Sequence, residues 1–84
     1  MDASAAENRR FIMEVLYRHR ASGGGAVSMD ELGSLDFIDA GRLREDMDYL
    51  EALDYVELLD GRVSLTEYGF TLMENREFSF CPHL

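Results

Sequence analysis

The stretch YVELLDGRVSL, residues 55–65, limits the possible folds more than any other part of the chain. An Asp-Gly pair between two alternating segments is a strong two-residue hairpin signal, because both central turn positions need positive φ. With Asp60 and Gly61 at the tip, the register follows from the alternation. Leu58 faces Val63 and Val56 faces Leu65, so four apolar side chains share one face. Leu59 with Arg62, and Glu57 with Ser64, take the other.

Helices are expected on both sides of this ribbon. Ser4 and Glu7 form a capping-box pattern, S-x-x-E, that starts a first helix. Phe11, Ile12, Val15, Leu16 and His19 then recur at helical spacing, with His19 an ordinary, partly packed member of the last turn. Arg18 and Arg20 sit in that turn, where cations suit the helix dipole. The glycines of ASGGGAV stop the helix, which predicts helix over 5–20. Ser28 and Glu31 repeat the capping box, flanked by a Val27–Leu32 hydrophobic staple, and open a short helix at 29–34. Asp39 caps the third helix, with Ile38 and Leu43 as its staple. That helix is expected over 40–53, with Leu43, Met47, Leu50 and Leu53 on its inner stripe. Thr66, between Leu65 and Phe70, opens a fourth helix reaching residue 76.

The chain has 84 residues, enough for one small domain. No apolar run approaches the ~20 residues needed to cross a bilayer, so no membrane partner is expected. The N-terminal MDASAAENRR lacks the basic-then-apolar order of a secretory signal. A single cysteine, Cys81, excludes an internal disulfide framework, and a cytoplasmic setting is the default. The same survey predicts neither an enzyme nor a cofactor. No Ser-His-Asp or Cys-His arrangement stands at a recognised spacing, and GGG at 23–25 reads as a loop. Cys81 and His83 form C-x-H, with His19 the only other imidazole, whereas a structural zinc site usually needs four ligands; no metal is expected.

Helix, short helix, long helix, hairpin, helix is the order of a winged helix domain. RLREDMDYLEALDYV at 42–56, followed by the hairpin and then SLTEYG at 64–69, strengthens the likeness. Over roughly residues 7–75 the chain resembles the winged helix-turn-helix superfamily, in particular small bacterial and archaeal winged-helix regulators. LTEYG is similar to the Leu-Thr-x-x-Gly that often opens the final helix there. The resemblance implies a mostly α fold with a small β-hairpin wing, a domain over 1–77 with an apolar tail at 78–84, and a role in transcription regulation. The chain departs from the pattern at Asp54, where many relatives place glycine for a left-handed cap. It departs again at the wing. The wing of Asp60, Gly61 and Arg62 is minimal, and its tip is Asp60-Gly61, where DNA-binding relatives commonly offer arginine or lysine.

In DNA-binding winged helices the outer face of the third helix reads base edges in the major groove. Here that face is centred on Glu45, Asp48 and Ala52, with Arg44 and Glu51 on one side and Arg42 and Tyr49 on the other. Its centre is acidic. Arg42 lies four residues before Asp46, and Arg44 four before Asp48, so both arginines have local partners worth only ~0.2–0.5 kcal/mol each. Phosphate contacts need basic groups, and the candidates are Arg9, Arg10, Arg42, Arg44 and Arg62. Seventeen acids against eight basic residues give a net charge of -9, with no lysine, a field that repels nucleic acid and favours basic partners. The expected function is therefore a small regulatory protein that works mainly through a basic protein partner. The alternative is a dimeric regulator that binds duplex DNA. Phe78, Phe80 and Leu84 in the tail, with Phe70 and Met73 on the fourth helix, either pack back onto the domain or form a homodimer seam.

Overall fold

A computed structural model describes residues 3–75. Helix α1 (Ala3–Ala21) is followed by a two-residue strand β1 (Val27–Ser28) and helix α2 (Met29–Gly33). A 3-10 turn (Ala40–Arg42) leads directly into α3 (Leu43–Ala52). Strands β2 (Val56–Leu59) and β3 (Arg62–Leu65) form a hairpin, and α4 (Glu67–Glu74) closes the order. The fold is mostly helical, with a three-stranded antiparallel sheet in the order β1-β3-β2.

The hairpin has the register that its turn demands. Val56 pairs with Leu65, Glu57 with Ser64, Leu58 with Val63 and Leu59 with Arg62. Asp60 (φ 54) and Gly61 (φ 74) both take the left-handed geometry. Val56, Val63 and Leu65 are buried and Leu58 half-buried, so one face of the ribbon lies on the helices. Ile12, Met13 and Leu16 of α1, Leu32 of α2, and Met47 and Leu50 of α3 complete the centre. Strand β1 was not foreseen. Its two residues carry no alternation of their own, and it forms because Val27 lies opposite Val63 while the Gly61 carbonyl accepts from the Met29 amide.

The helix ends show which local signals hold. Ser28 and Glu31 make the reciprocal capping box, Asp39 caps the 3-10 turn through the Gly41 amide, and Thr66 caps α4 through the Gly69 amide. The Ser4 cap does not hold: α1 is already helical at Ala3, which puts Ser4 inside the first turn. The first turn of the expected third helix is 3-10, and α4 stops at Glu74 rather than residue 76. Leu53 was placed on the inner stripe, yet it is 40% exposed. It is the C-cap of α3, where the chain leaves the helix and swings the side chain off the buried face.

Two helices end in the same way. The Gly24 amide bonds to the His19 carbonyl and that of Gly23 to Arg20, with Gly23 at φ 91. After α3 the Tyr55 amide bonds to the Leu50 carbonyl and that of Asp54 to Glu51, with Asp54 at φ 65. Both are Schellman closures, and at the second an aspartate takes the place usually given to glycine. His19 is exposed and lies over Gly24. Among the described residues, no helix is long and apolar enough to cross a membrane.

Candidate functional site

The outer face of α3 is built by the helix period alone. Burying Leu43, Met47 and Leu50 turns Arg44, Glu45, Asp48, Glu51 and Ala52 outward, and all five are exposed. Arg44 pairs with Asp48 at 3.5 Å in the i,i+4 relation, with both side chains largely in solvent. Arg42 approaches Glu45 at 4.0 Å and Asp46 at 3.7 Å. The outer face of α3 therefore carries Glu45, Asp48 and Glu51 beside the exposed Arg44.

Asp46 is the residue that the sequence reading missed. Its spacing predicts a surface partner for Arg42, but it is fully buried, at 0% exposure. The Asn8 amide nitrogen donates to Asp46 Oδ2 at 2.6 Å, and Arg9 Nε donates to Oδ1 at 3.0 Å. The other end of Asn8 accepts from the Asp39 amide at 2.7 Å. One asparagine on α1 thus joins both the entry and the first turn of α3. The Arg9 guanidinium lies 3.7 Å above the Tyr49 ring, so that ring is held as well. A buried carboxylate needs charged or hydrogen-bonding partners, and here two arginines and an amide supply them.

The five arginines considered for phosphate contact are not pooled on one surface. Arg9 and Arg42 converge on Asp46, with side chains only 12% and 25% exposed. Arg44 stays with Asp48. Arg62, beside the wing tip, donates to the Ala26 carbonyl at 3.1 Å and so braces the start of β1. Arg10 is exposed on α1. At the wing itself Asp60 and Gly61 are exposed, and the adjoining Leu59 is 67% exposed.

Beyond α3, the end of α1 clasps the start of α4. Arg20 donates to the Leu65 and Thr66 carbonyls at 3.3 Å and to Glu67 Oε2 at 2.6 Å, and its guanidinium covers the Phe70 ring. Tyr17 packs on the same ring, with centroids 5.3 Å apart. Phe70 and Met73 are half-buried against their own core, so part of their apolar surface is used within one chain. Phe78, Phe80 and Leu84 lie outside the described residues, as do Cys81 and His83. No group of three or more His, Cys, Asp or Glu among the described residues is placed to hold a metal ion.

A second cluster lies where α3 gives way to β2 and α4 begins. The Tyr55 and Tyr68 rings are 5.7 Å apart, and Tyr49 stands one helical turn before Leu53. Burial pushes the Tyr55 phenol above its ordinary value of 10.0, and the neighbouring Tyr68 and Tyr49 push it the same way. Gly69 makes this junction possible. Any Cβ there would collide with the Tyr55 carbonyl, which also accepts from the Thr66 amide at 3.1 Å. No family model, curated protein or solved structure matches the chain.

Proposed function

We propose that the chain is a small winged-helix regulatory protein that acts through contacts with a basic protein surface rather than by reading duplex DNA. The order of helices around the β2–β3 hairpin, with β1 completing the sheet, supports the winged-helix assignment. One observation carries the functional half. Arg9 and Arg42, two of the cations a phosphate backbone would need, are drawn inward onto Asp46 while the face turned outward is acidic.

Non-specific affinity for DNA comes almost entirely from neutralised phosphates, each requiring an accessible cation. With Glu45, Asp48 and Glu51 at the front, approach of a phosphate backbone is opposed, and a cationic protein surface is drawn to the same place.

The test is a titration of labelled random-sequence duplex at several salt concentrations. No tight binding is expected at about 150 mM salt, and Glu45→Arg with Asp48→Arg should raise non-specific affinity by removing the repulsion. Sub-micromolar binding by the unaltered chain, with a steep salt slope, would overturn the proposal in favour of a dimeric DNA-binding regulator. Recovery from the native host, identifying both proteins and DNA that come down with the chain, gives the complementary arm.

A further inference from the structure

One side of α1 carries an apolar groove that the core does not use. Phe11, Val15 and Phe37 line an open hollow of about 210 Å³, with Glu14 and Arg18 at its rim. Phe37 stands between α2 and the 3-10 turn, and its ring meets that of Phe11 edge-on at 5.6 Å. It is 53% exposed, so much of a large apolar ring is left in water. Charge is unusual here as well. Helix α1 holds four of the eight basic residues, Arg9, Arg10, Arg18 and Arg20, but only two of the seventeen acids, Glu7 and Glu14. Arg9 and Arg20 turn away to Asp46 and Glu67, which leaves Glu7, Arg10, Glu14 and Arg18 exposed and in balance.

The order of residues along this face selects the occupant. Glu7, Phe11, Val15 and Arg18 follow one another at helical spacing, so the face reads acid, apolar, apolar, base. A second α1 laid antiparallel reads the reverse. It sets Glu7 opposite Arg18 and Phe11 opposite Val15, twice over, about a two-fold axis. A single register serves both pairings, because 7 with 18 and 11 with 15 share nearly the same midpoint. Arg18 can make the new contact: its side chain is 80% exposed, and its i,i+4 approach to Glu14 at 3.6 Å is worth little in water. A net charge of -9 opposes self-association in general, and a face of balanced charge is where that opposition is weakest.

We propose that this face pairs two copies of the chain, α1 against α1 in antiparallel, with Phe11, Val15 and Phe37 at the centre and Glu7–Arg18 ion pairs at both ends. The pairing uses none of the α3 residues assigned to the basic partner, so it can fail without touching that reading.

Sedimentation equilibrium of the full chain at about 0.15 M salt, in a concentration series reaching about 1 mM, should show a monomer–dimer equilibrium. Phe37→Asp, at an exposed position, should weaken association by more than about tenfold, because the new carboxylate meets an apolar face. An unchanged circular-dichroism spectrum would show that the domain still folds. The charges test the orientation. Arg18→Glu and Glu7→Arg should each weaken the homodimer, whereas an equimolar mixture of these two variants should associate more tightly than either alone. Only the mixed pair restores both acid–base contacts. A chain that stays monomeric throughout the series overturns the pairing. So does a dimer that Phe37→Asp does not weaken, which would assign association to another face. Single variants whose mixture is no tighter than the variants alone overturn the antiparallel arrangement and the proposal with it.

Discussion

Asp54 shows how far a single position can be understood from local rules. Its left-handed φ of 65° follows from where α3 must end, and the sequence marked it as the residue standing in for glycine. Left-handed geometry costs an ordinary residue about 1–2 kcal/mol, less for aspartate, while glycine loses some of that gain through its freer unfolded chain. Asp54→Gly should therefore stabilise the fold by about 0.5–1 kcal/mol in chemical denaturation; a clear loss would reveal a side-chain role for Asp54. Gly69 is the opposite case. Its φ is not in the positive region, and nothing in LTEYG says that the Tyr55 carbonyl lies against it, since that contact joins segments brought together only by the finished hairpin. Gly69→Ala should cost about 1–3 kcal/mol by overpacking, read as a lower denaturation midpoint with unchanged slope. Tyr55 adds a pH signature. Its raised folded value means the folded state holds the phenolic proton longer than the unfolded chain does. The stability this gives is complete below about pH 10 and is lost as pH rises through the folded value, so the fold should weaken in that alkaline window. Tyr55→Phe should flatten the alkaline loss, and an unchanged pH profile would show that Tyr55 is not its source.

Two pairs on α3 look identical in the sequence and differ completely in the fold. Arg42–Asp46 and Arg44–Asp48 have the same spacing and the same residue types, and helix periodicity alone gives both the same small value. What separates them is α1, which comes down over Asp46 and leaves Asp48 in solvent. The Asn8–Asp46 bond spans 38 positions, and no local pattern announces a bond of that reach. The helices, the caps at Ser28, Asp39 and Thr66 and the hairpin register were legible because each depends on residues within a turn or two; the Asn8–Asp46–Arg9 joint and the tyrosine cluster were not, because each depends on how elements meet. The difference is measurable. Asp46→Ala removes the common partner of two partly buried arginines and takes the acceptor from the Asn8 amide nitrogen, and breaking such a buried pair typically costs about 3–5 kcal/mol. Arg44→Ala on the exposed pair should change stability by no more than about 0.5 kcal/mol. Thermal denaturation of the two variants side by side decides it. Equal, small shifts would mean that α1 does not depend on Asp46 for its seat on α3.

At the scale of the whole molecule, charge works against the fold that these contacts build. The chain carries seventeen acids against eight basic residues, and its body spans 33 × 29 × 22 Å. At ~0.01 M salt the screening length is about 30 Å, comparable to the molecule itself, so most of the acids repel one another; at 1 M it falls to about 3 Å. The attractive pairs respond differently. Arg9–Asp46 lies in the interior, where screening is weak, and only exposed pairs such as Arg44–Asp48 and Arg18–Glu14 are readily screened away, each worth little. Repulsion is thus the part of the electrostatics that salt removes most completely. Sodium chloride should raise the melting temperature between roughly 0.01 and 0.5 M, with most of the rise at the low end, where the screening length changes fastest. Replacing Glu45, Asp48 and Glu51 together by glutamine should raise the low-salt melting temperature and reduce its dependence on salt. The same variant at high salt should match the unaltered chain, because repulsion between those acids is by then already screened. A melting temperature that falls with added salt would show the opposite balance: that exposed ion pairs hold the fold together more than the acids of α3 strain it, and that the outer face of this helix is retained for stability rather than for a cationic partner.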